Sequence, residues 1–457
     1  MDKKIIKKIQ EAVGKGNLLT SAEECACYSY DASGRTFMPD AVALPETSDQ
    51  VAELMRLADE YRFPVIPRGA GSGTTGGALP VAGGVVVGFS RMNRILEIDP
   101  MNMIAVVEPG VITGELQTAL KKHGLMYPPD PASLKFCSLG GNAAECAGGP
   151  SAVKYGVTRD YIIGLEAVLP DGKRIRTGVR TEKGVVGYDL TRLLIGSEGT
   201  LALFTKLILR LLPLAEAKAT FLLSFSSLDR ATGLVAEILS AGLMPCTLEY
   251  MDKTAVEVVR NRLGTPPPPD TAALLLVEFD GTATEVAGQG RLFTEFVRQR
   301  ENSVLRQAAD DTETEELWQA RRSIAPACLS LRPHKIAEDV VVPRSRIPEL
   351  VRFTERLARE LNLIILTFGH AGDGNIHVNI MVDKQNDQEL RAGLQAKERL
   401  FPFVLDLGGT LSGEHGVGIT KSAFLPLEID QDTLLLMRQI KELFDPHNIL
   451  NPGKIFF

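Results

Sequence analysis

Apolar residues recur at helical spacing through the first sixty positions. Ile5, Ile6, Ile9 and Val13 share one helical face, with lysines elsewhere. A basic amphipathic helix of this kind can lie on a membrane, but the pattern predicts packing on its own domain. Val51, Leu54, Met55 and Ala58 form a second stripe, and Thr47 and Gln50 have capping-box spacing, so a helix is predicted over 47–62. Short β-branched runs then alternate with glycine-rich stretches: FPVIPR, GAGSGTTGG, VVVGF, RILEI and MIAVVEP. A helix is expected from Thr113 to His123, stopped by Gly124, and a hairpin over 162–178 turning at Pro170-Asp171-Gly172-Lys173.

From about residue 216 the texture changes. The strand TFLLSFSS precedes the helical LDRATGLVAEILSAG, and Pro266 to Pro269 mark an exposed loop. The strand LLLVEFD, helices around 284–308 and 313–331, and a strand–helix pair at 336–361 follow. Asp310 to Glu316 reads as a helix N-terminus, with Thr312 and Glu315 as its capping box. The pattern is that of a second α+β domain.

Composition narrows the function classes. A chain of 457 residues predicts two or three domains. A net charge of −7 argues against affinity built on phosphate neutralisation, so no nucleic acid is expected. Six cysteines are scattered without a CxxC pair or an iron–sulfur run, as in a reduced cytosolic protein. The apolar runs are too short for a bilayer, so a cytoplasmic protein without a transmembrane segment is expected.

Gly71-Ser72-Gly73-Thr74-Thr75-Gly76 matches GxGxxG after a strand. A Rossmann turn needs a helix starting inside the motif, and Gly77, Pro80, Gly83 and Gly84 forbid one. What remains is a loop whose backbone N–H groups can converge on an anion, with Ser72, Thr74 and Thr75 adding hydroxyls. PPDPAS, GGNAAECAGGP, KYG and GSEGT are further segments suited to close backbone approach, as an extended cofactor with a pyrophosphate requires.

The order PRGAGSGTTGG, PPDP, GGNAAECAGG, KYG, IGSEGTL resembles the FAD domain of the vanillyl-alcohol-oxidase/PCMH superfamily. Within it the chain is similar to the FAD-linked D-2-hydroxyacid dehydrogenases: D-lactate dehydrogenase, D-2-hydroxyglutarate dehydrogenase and the glycolate oxidase GlcD subunit. The resemblance implies an α+β protein of two domains, a PCMH-type FAD-binding fold with an α+β substrate (cap) domain. The expected division is 1–215 for FAD, 216–410 for substrate, and 411–457 returning to the FAD domain. By resemblance Arg68, Gly69, Ala70, Gly71, Ser72, Gly73, Thr74 and Gly76 hold the pyrophosphate. Pro129, Asp130, Ser133, Gly140, Gly141, Asn142, Gly149, Gly156, Glu198, Gly199, Thr200 and Asn451 lie along the rest of FAD. Covalent members carry a histidine in the loop that here reads Gly71-Ser72-Gly73-Thr74, so non-covalent FAD is expected.

Three of six histidines fall in two glycine-rich segments, FGHAGDGNIHVNIMV and LSGEHGVG. Alternation in HVNIM puts His377, Asn379 and Met381 on one strand face, and a glycine turn can fold His370 back beside them. Two imidazoles and a carboxylate suit zinc or a similar divalent ion, whereas a lone buried histidine reads as hydrogen-bonded core. The resemblance assigns the metal to His370, His377 and Glu414, with zinc preferred and iron or manganese as alternatives. It makes His415 the catalytic base. If the segment is extended, Glu414 and His415 point opposite ways, one to metal and one to substrate. A substrate carboxylate calls for a cation, and periodicity leaves Arg321 and Arg322 equally placed. The resemblance selects Arg321, with Lys335 and Asn379. Asp373 and Asn375 read as turn residues, and Lys454 joins Asn451 as a candidate near the isoalloxazine.

The expected reaction is oxidation of a small D-2-hydroxy acid to the 2-keto acid, with hydride passing to flavin N5. D-lactate and glycolate are favoured over D-2-hydroxyglutarate because IAEDVVVPRSRIPELV resembles the GlcD-like branch. Electrons then go to an iron–sulfur subunit, an electron-transferring flavoprotein or a quinone, the last implying peripheral membrane association. An oxidase using oxygen is the alternative within the class. A metallohydrolase leaves the glycine-rich half unexplained, and a non-catalytic flavin subunit leaves His370, His377, Glu414 and His415 unexplained.

Overall fold

The computed structural model describes residues 1–300 and 303–456. The chain divides into two compact units: residues 1–148, 157–214 and 414–457 form the first, and 149–156 with 215–413 the second. The class is α+β, as the resemblance implies.

Among the described residues the first unit holds a four-stranded sheet, a five-stranded sheet and a two-stranded pair of Leu125–Met126 with Leu212–Pro213. Ala41–Ala43, Val85–Gly88 and Val65–Arg68 run parallel, with Leu18–Leu19 added antiparallel at one edge. Ile95–Asp99, Ile104–Val107, Leu203–Arg210, Ile162–Val168 and Arg174–Gly178 make an antiparallel five-stranded sheet in that spatial order. The Lys3–Val13 helix packs its apolar face inward: Ile9 and Val13 are fully buried, and Ile5 and Ile6 pack on the same core. Helix Ser48–Tyr61 buries Val51, Leu54, Met55 and Ala58 in that core too. Thr47 caps it through the Gln50 N–H at 3.2 Å, but the Gln50 side chain turns to the Glu46 N–H instead of closing the box. Residues 77–84 contain no helix, as a non-Rossmann loop requires. The segment GGNAAE is a short helix, Leu139–Glu145, capped by Ser138.

The second unit is built on an antiparallel seven-stranded sheet. Its spatial order is Ser303–Gln307, Ala217–Phe225, Ala273–Gly281, Thr247–Asp252, Ile364–His370, Asn375–Val382, His334–Val341. Helices Leu228–Ser240, Ala283–Arg298, Ile347–Leu361 and Asp387–Asp406 pack on its strands. Leu317, Trp318, Ala320 and Ile324 meet Met251, Leu366, Phe368 and Met381 in a separate cluster. Two expectations are corrected. The helix predicted to 308 ends at Arg298, and Ser303–Gln307 is an edge strand paired with Phe221–Phe225. The acidic helix Asp311–Arg322 starts two residues earlier than expected: Asp310, not Thr312, caps it through the Glu313 N–H at 2.9 Å. Among the described residues no helix is long and apolar enough to cross a membrane.

Candidate active site

In the second unit, register decides which side chains meet. Phe368 pairs with His377 and Leu366 with Asn379, so His377 and Asn379 share a face with Phe368. His370, two residues on, is on that face as well, and the perpendicular imidazoles of His370 and His377 stand 5.2 Å apart. The turn between the strands is shaped by Gly374 at φ +89° and by Asp373, which accepts from the Asn375 N–H. Met251 pairs with Phe368, so Glu249 also projects to this face.

Glu249 has no solvent exposure. One carboxylate oxygen lies 2.6 Å from His370 Nδ1, and the other accepts from Arg321 Nε at 2.6 Å with Nη2 at 2.5 Å. The Arg321 guanidinium lies over the Phe368 ring, 4.8 Å from its centroid. Burial alone would raise the Glu249 pKa, but Arg321 and then His370 outweigh it and hold the carboxyl below its usual value. The two candidate arginines are thus separated: Arg321 points into the unit, whereas Arg322 pairs with Glu315 at 2.6 Å. Beside them, Lys335 donates to the Ala325 carbonyl at 3.2 Å, and burial lowers its pKa. Asn379 is buried next to Cys328. Sequence reasoning missed Glu249. Its one local signal is a glutamate at an inward position of the apolar run TLEYM.

In the first unit, Arg68 ends its strand buried, beside Asp31 and 5.7 Å from the centroid of the Tyr28 ring. Burial lowers its pKa. A Cβ at Gly71, where φ is +69°, would sit 2.2 Å from Arg68 Nη2, and one at Gly69 would sit 2.3 Å from Ser138 Oγ. A Cβ at Gly73 would face open space. Arg68 Nη1, Thr74 Oγ1 and Ser197 Oγ are buried with no hydrogen-bond partner among the described residues. Such orphaned donors beside side-chain-free backbone fit a polar ligand that completes the site.

Glu198 braces the segment carrying Glu414 and His415. Held at φ +52°, it accepts from the Val417 N–H at 2.7 Å and the Gly418 N–H at 2.6 Å. Burial raises its pKa, although those two N–H groups oppose the shift. Thr75 Oγ1 donates to the His415 carbonyl, and Asn451 Nδ2 donates to the carbonyls of Gly77 and Glu198. Lys454 donates to the Leu79 carbonyl at 2.5 Å, and burial brings its pKa down to about 8. A bend at Glu414–His415 corrects one expectation: the two side chains do not diverge, and His415 Nε2 lies 3.9 Å from Glu414 Oε1. His447 is a surface partner of Asp59.

Residues 39–178 match the family described as "FAD binding domain", and residues 214–455 match "FAD linked oxidases, C-terminal domain". The chain belongs to the FAD-linked oxidase family. The oxidase is 42% identical over 430 residues to the glycolate oxidase subunit GlcD of Bacillus subtilis, covering 94% of this chain and 92% of that one. It is 33% identical over 433 residues to a D-lactate dehydrogenase of Anaerostipes hadrus, covering 92% and 90%. Its fold is that of p-cresol methylhydroxylase, with a TM-score of 0.82 over 99% of this chain and 96% of that one at 18% identity. This FAD-linked oxidase is therefore an oxidoreductase whose cofactor is FAD.

Proposed function

We propose that this oxidoreductase converts a small D-2-hydroxy acid, D-lactate or glycolate, to its 2-keto acid and passes the electrons to a separate acceptor. The observation that carries the reading is the convergence of Arg321, His370 and His377 on one sheet face, a cation beside two imidazoles. The names of the relatives support the substrate class. Arg321, Lys335 and Asn379 bind the substrate carboxylate, for which fixed N–H donors are the natural complement. His370, His377 and Glu414 hold a divalent metal, zinc first and iron or manganese next; two imidazoles and a carboxylate are a donor set that fits it. His415 takes the hydroxyl proton.

FAD, when bound, supplies the two-electron acceptor. It is held non-covalently, because Gly71, Ser72, Gly73 and Thr74 offer no linking side chain. Arg68 and the 69–76 loop take its pyrophosphate. Pro129, Asp130, Ser133, Gly140, Gly141, Asn142, Gly149, Gly156, the 198–200 turn and Asn451 take the remainder. The FAD domain is 1–215 with the returning 411–457, whose last residue, Phe457, lies outside the described residues. The substrate domain is 216–410. The final acceptor is an iron–sulfur subunit, an electron-transferring flavoprotein or a quinone, the last at a membrane surface.

The test is an anaerobic visible spectrum of the purified protein before and after D-lactate, L-lactate or glycolate, with and without chelation. Bleaching by D-lactate or glycolate, lost on chelation and absent with L-lactate, is expected. A flavin that stays oxidised with both favoured substrates but bleaches with D-2-hydroxyglutarate overturns the substrate choice. Bleaching that survives complete metal removal overturns the metal.

A further inference from the structure

We infer that Glu249 is the positioning residue of this site: one buried carboxylate sets the tautomer of His370 and the orientation of Arg321. Glu249 is fully buried on Thr247–Asp252, and its strand pairs directly with Ile364–His370. It therefore reaches His370 from the neighbouring strand, on the same face of the sheet. At 2.6 Å from Glu249 Oε1, His370 Nδ1 carries the proton and donates it, because a carboxylate can only accept. The nitrogen that would ligate a metal is then Nε2. A carboxylate behind a ligating imidazole fixes the ring and makes the opposite nitrogen a better donor.

The second oxygen holds Arg321. Nε and Nη2 both approach Glu249 Oε2, and the guanidinium plane is set against Phe368. The arginine side chain is thereby held in one orientation before any substrate arrives, which lowers the ordering cost of binding a carboxylate. Glu249 thus ties the orientation of a candidate ligand to that of a candidate substrate cation. A carboxylate that served only as a buried counter-charge to Arg321 would leave the tautomer of His370 unconstrained.

The metal half of this inference rests on the reading of His370 as a ligand; the tautomer half does not. Two measurements keep them apart. Metal-free protein with ¹⁵N-labelled histidine gives six imidazoles, and His370 is assigned by the signal lost in His370→Gln. A Nδ1–H tautomer in the native protein, shifting to a mixture in Glu249→Gln, is expected; a Nε2–H tautomer in the native protein overturns the inference. Zinc affinity is then measured by competition with a chromophoric chelator. About 10- to 100-fold weaker binding in Glu249→Gln is expected. Equal affinity in both proteins overturns the link to the metal, whereas no zinc binding by the native protein overturns the metal reading and leaves the tautomer result standing. If Glu249→Gln does not fold, the native tautomer alone decides.

Discussion

Lys154 donates to the Asp280 carboxylate at 2.6 Å and to the Asp280 carbonyl at 2.8 Å. The neighbouring Tyr155 hydroxyl lies 3.0 and 2.9 Å from the same carboxylate oxygens. Residues 149–156, flanked on both sides by chain of the first unit, are thereby anchored to the Ala273–Gly281 strand. Asp280→Ala strips the acceptor from a mostly buried cation and a phenol. We expect a loss of about 2–4 kcal/mol in denaturant unfolding, and a smaller one for Asp280→Asn.

Glu198 satisfies two backbone N–H groups just after His415. Glu198→Ala leaves both without their acceptor, at about 1–3 kcal/mol each if no water replaces it. Turnover per bound flavin, which corrects for lost cofactor, should fall in this variant because the His415 segment loses its brace. Unchanged turnover per flavin would remove Glu198 from any role in positioning that segment.

The glycine at 71 is required by its φ of +69°, and a Cβ there would also displace the Arg68 guanidinium, 2.2 Å away. Gly71→Ala should weaken FAD binding by about tenfold or more, equivalent to about 1.4 kcal/mol, read from flavin retention on gel filtration. Gly233, in the Leu228–Ser240 helix with nothing within 4 Å of its Cβ position, is the contrasting site. There the alanine should stabilise by about 0.5–1 kcal/mol and leave flavin content unchanged.

Asp252, half-buried at the end of its strand, has its carboxyl raised to about 6 by loss of hydration, against the opposing N–H groups of Ala255 and Thr367. The sign is that of a carboxyl easier to protonate folded than unfolded. Native stability therefore falls as pH rises from about 4 through 6, where the unfolded chain has already lost the proton that the folded one keeps. Asp252→Asn does not titrate. Its stability relative to the native protein should rise by about 3 kcal/mol between pH 4 and pH 7, from a shift of about two pH units. A difference that stays flat across this range would show Asp252 to be ionised throughout.

Local pattern carried far in this chain where periodicity was long or punctuation strong. The stripe Val51, Leu54, Met55, Ala58 is the buried face of its helix, and alternation in HVNIM gave the shared face of His377 and Asn379. It failed where the deciding contact is distant. Glu249 meets His370 across 121 residues and Arg321 across 72, and no spacing within TLEYM encodes either partner. Ser303–Gln307 failed for another reason: five residues without turn signals continue a helical pattern as readily as they form an edge strand. Asp310 and Thr312 are both good caps, and only tertiary packing chooses between them.

Ile449 and Leu450 sit in the core of the first unit, where Val65 donates to the Ile449 carbonyl and Asn451 donates back to Val65. During synthesis the strand Val65–Arg68 leaves the ribosome nearly four hundred residues before these neighbours exist. The seven strands of the other sheet, all between residues 217 and 382, are complete well before that. The unit that begins first must therefore finish last. Until residues 449–451 emerge, its parallel strands have an unfilled flank, the period when a chaperone has most to protect.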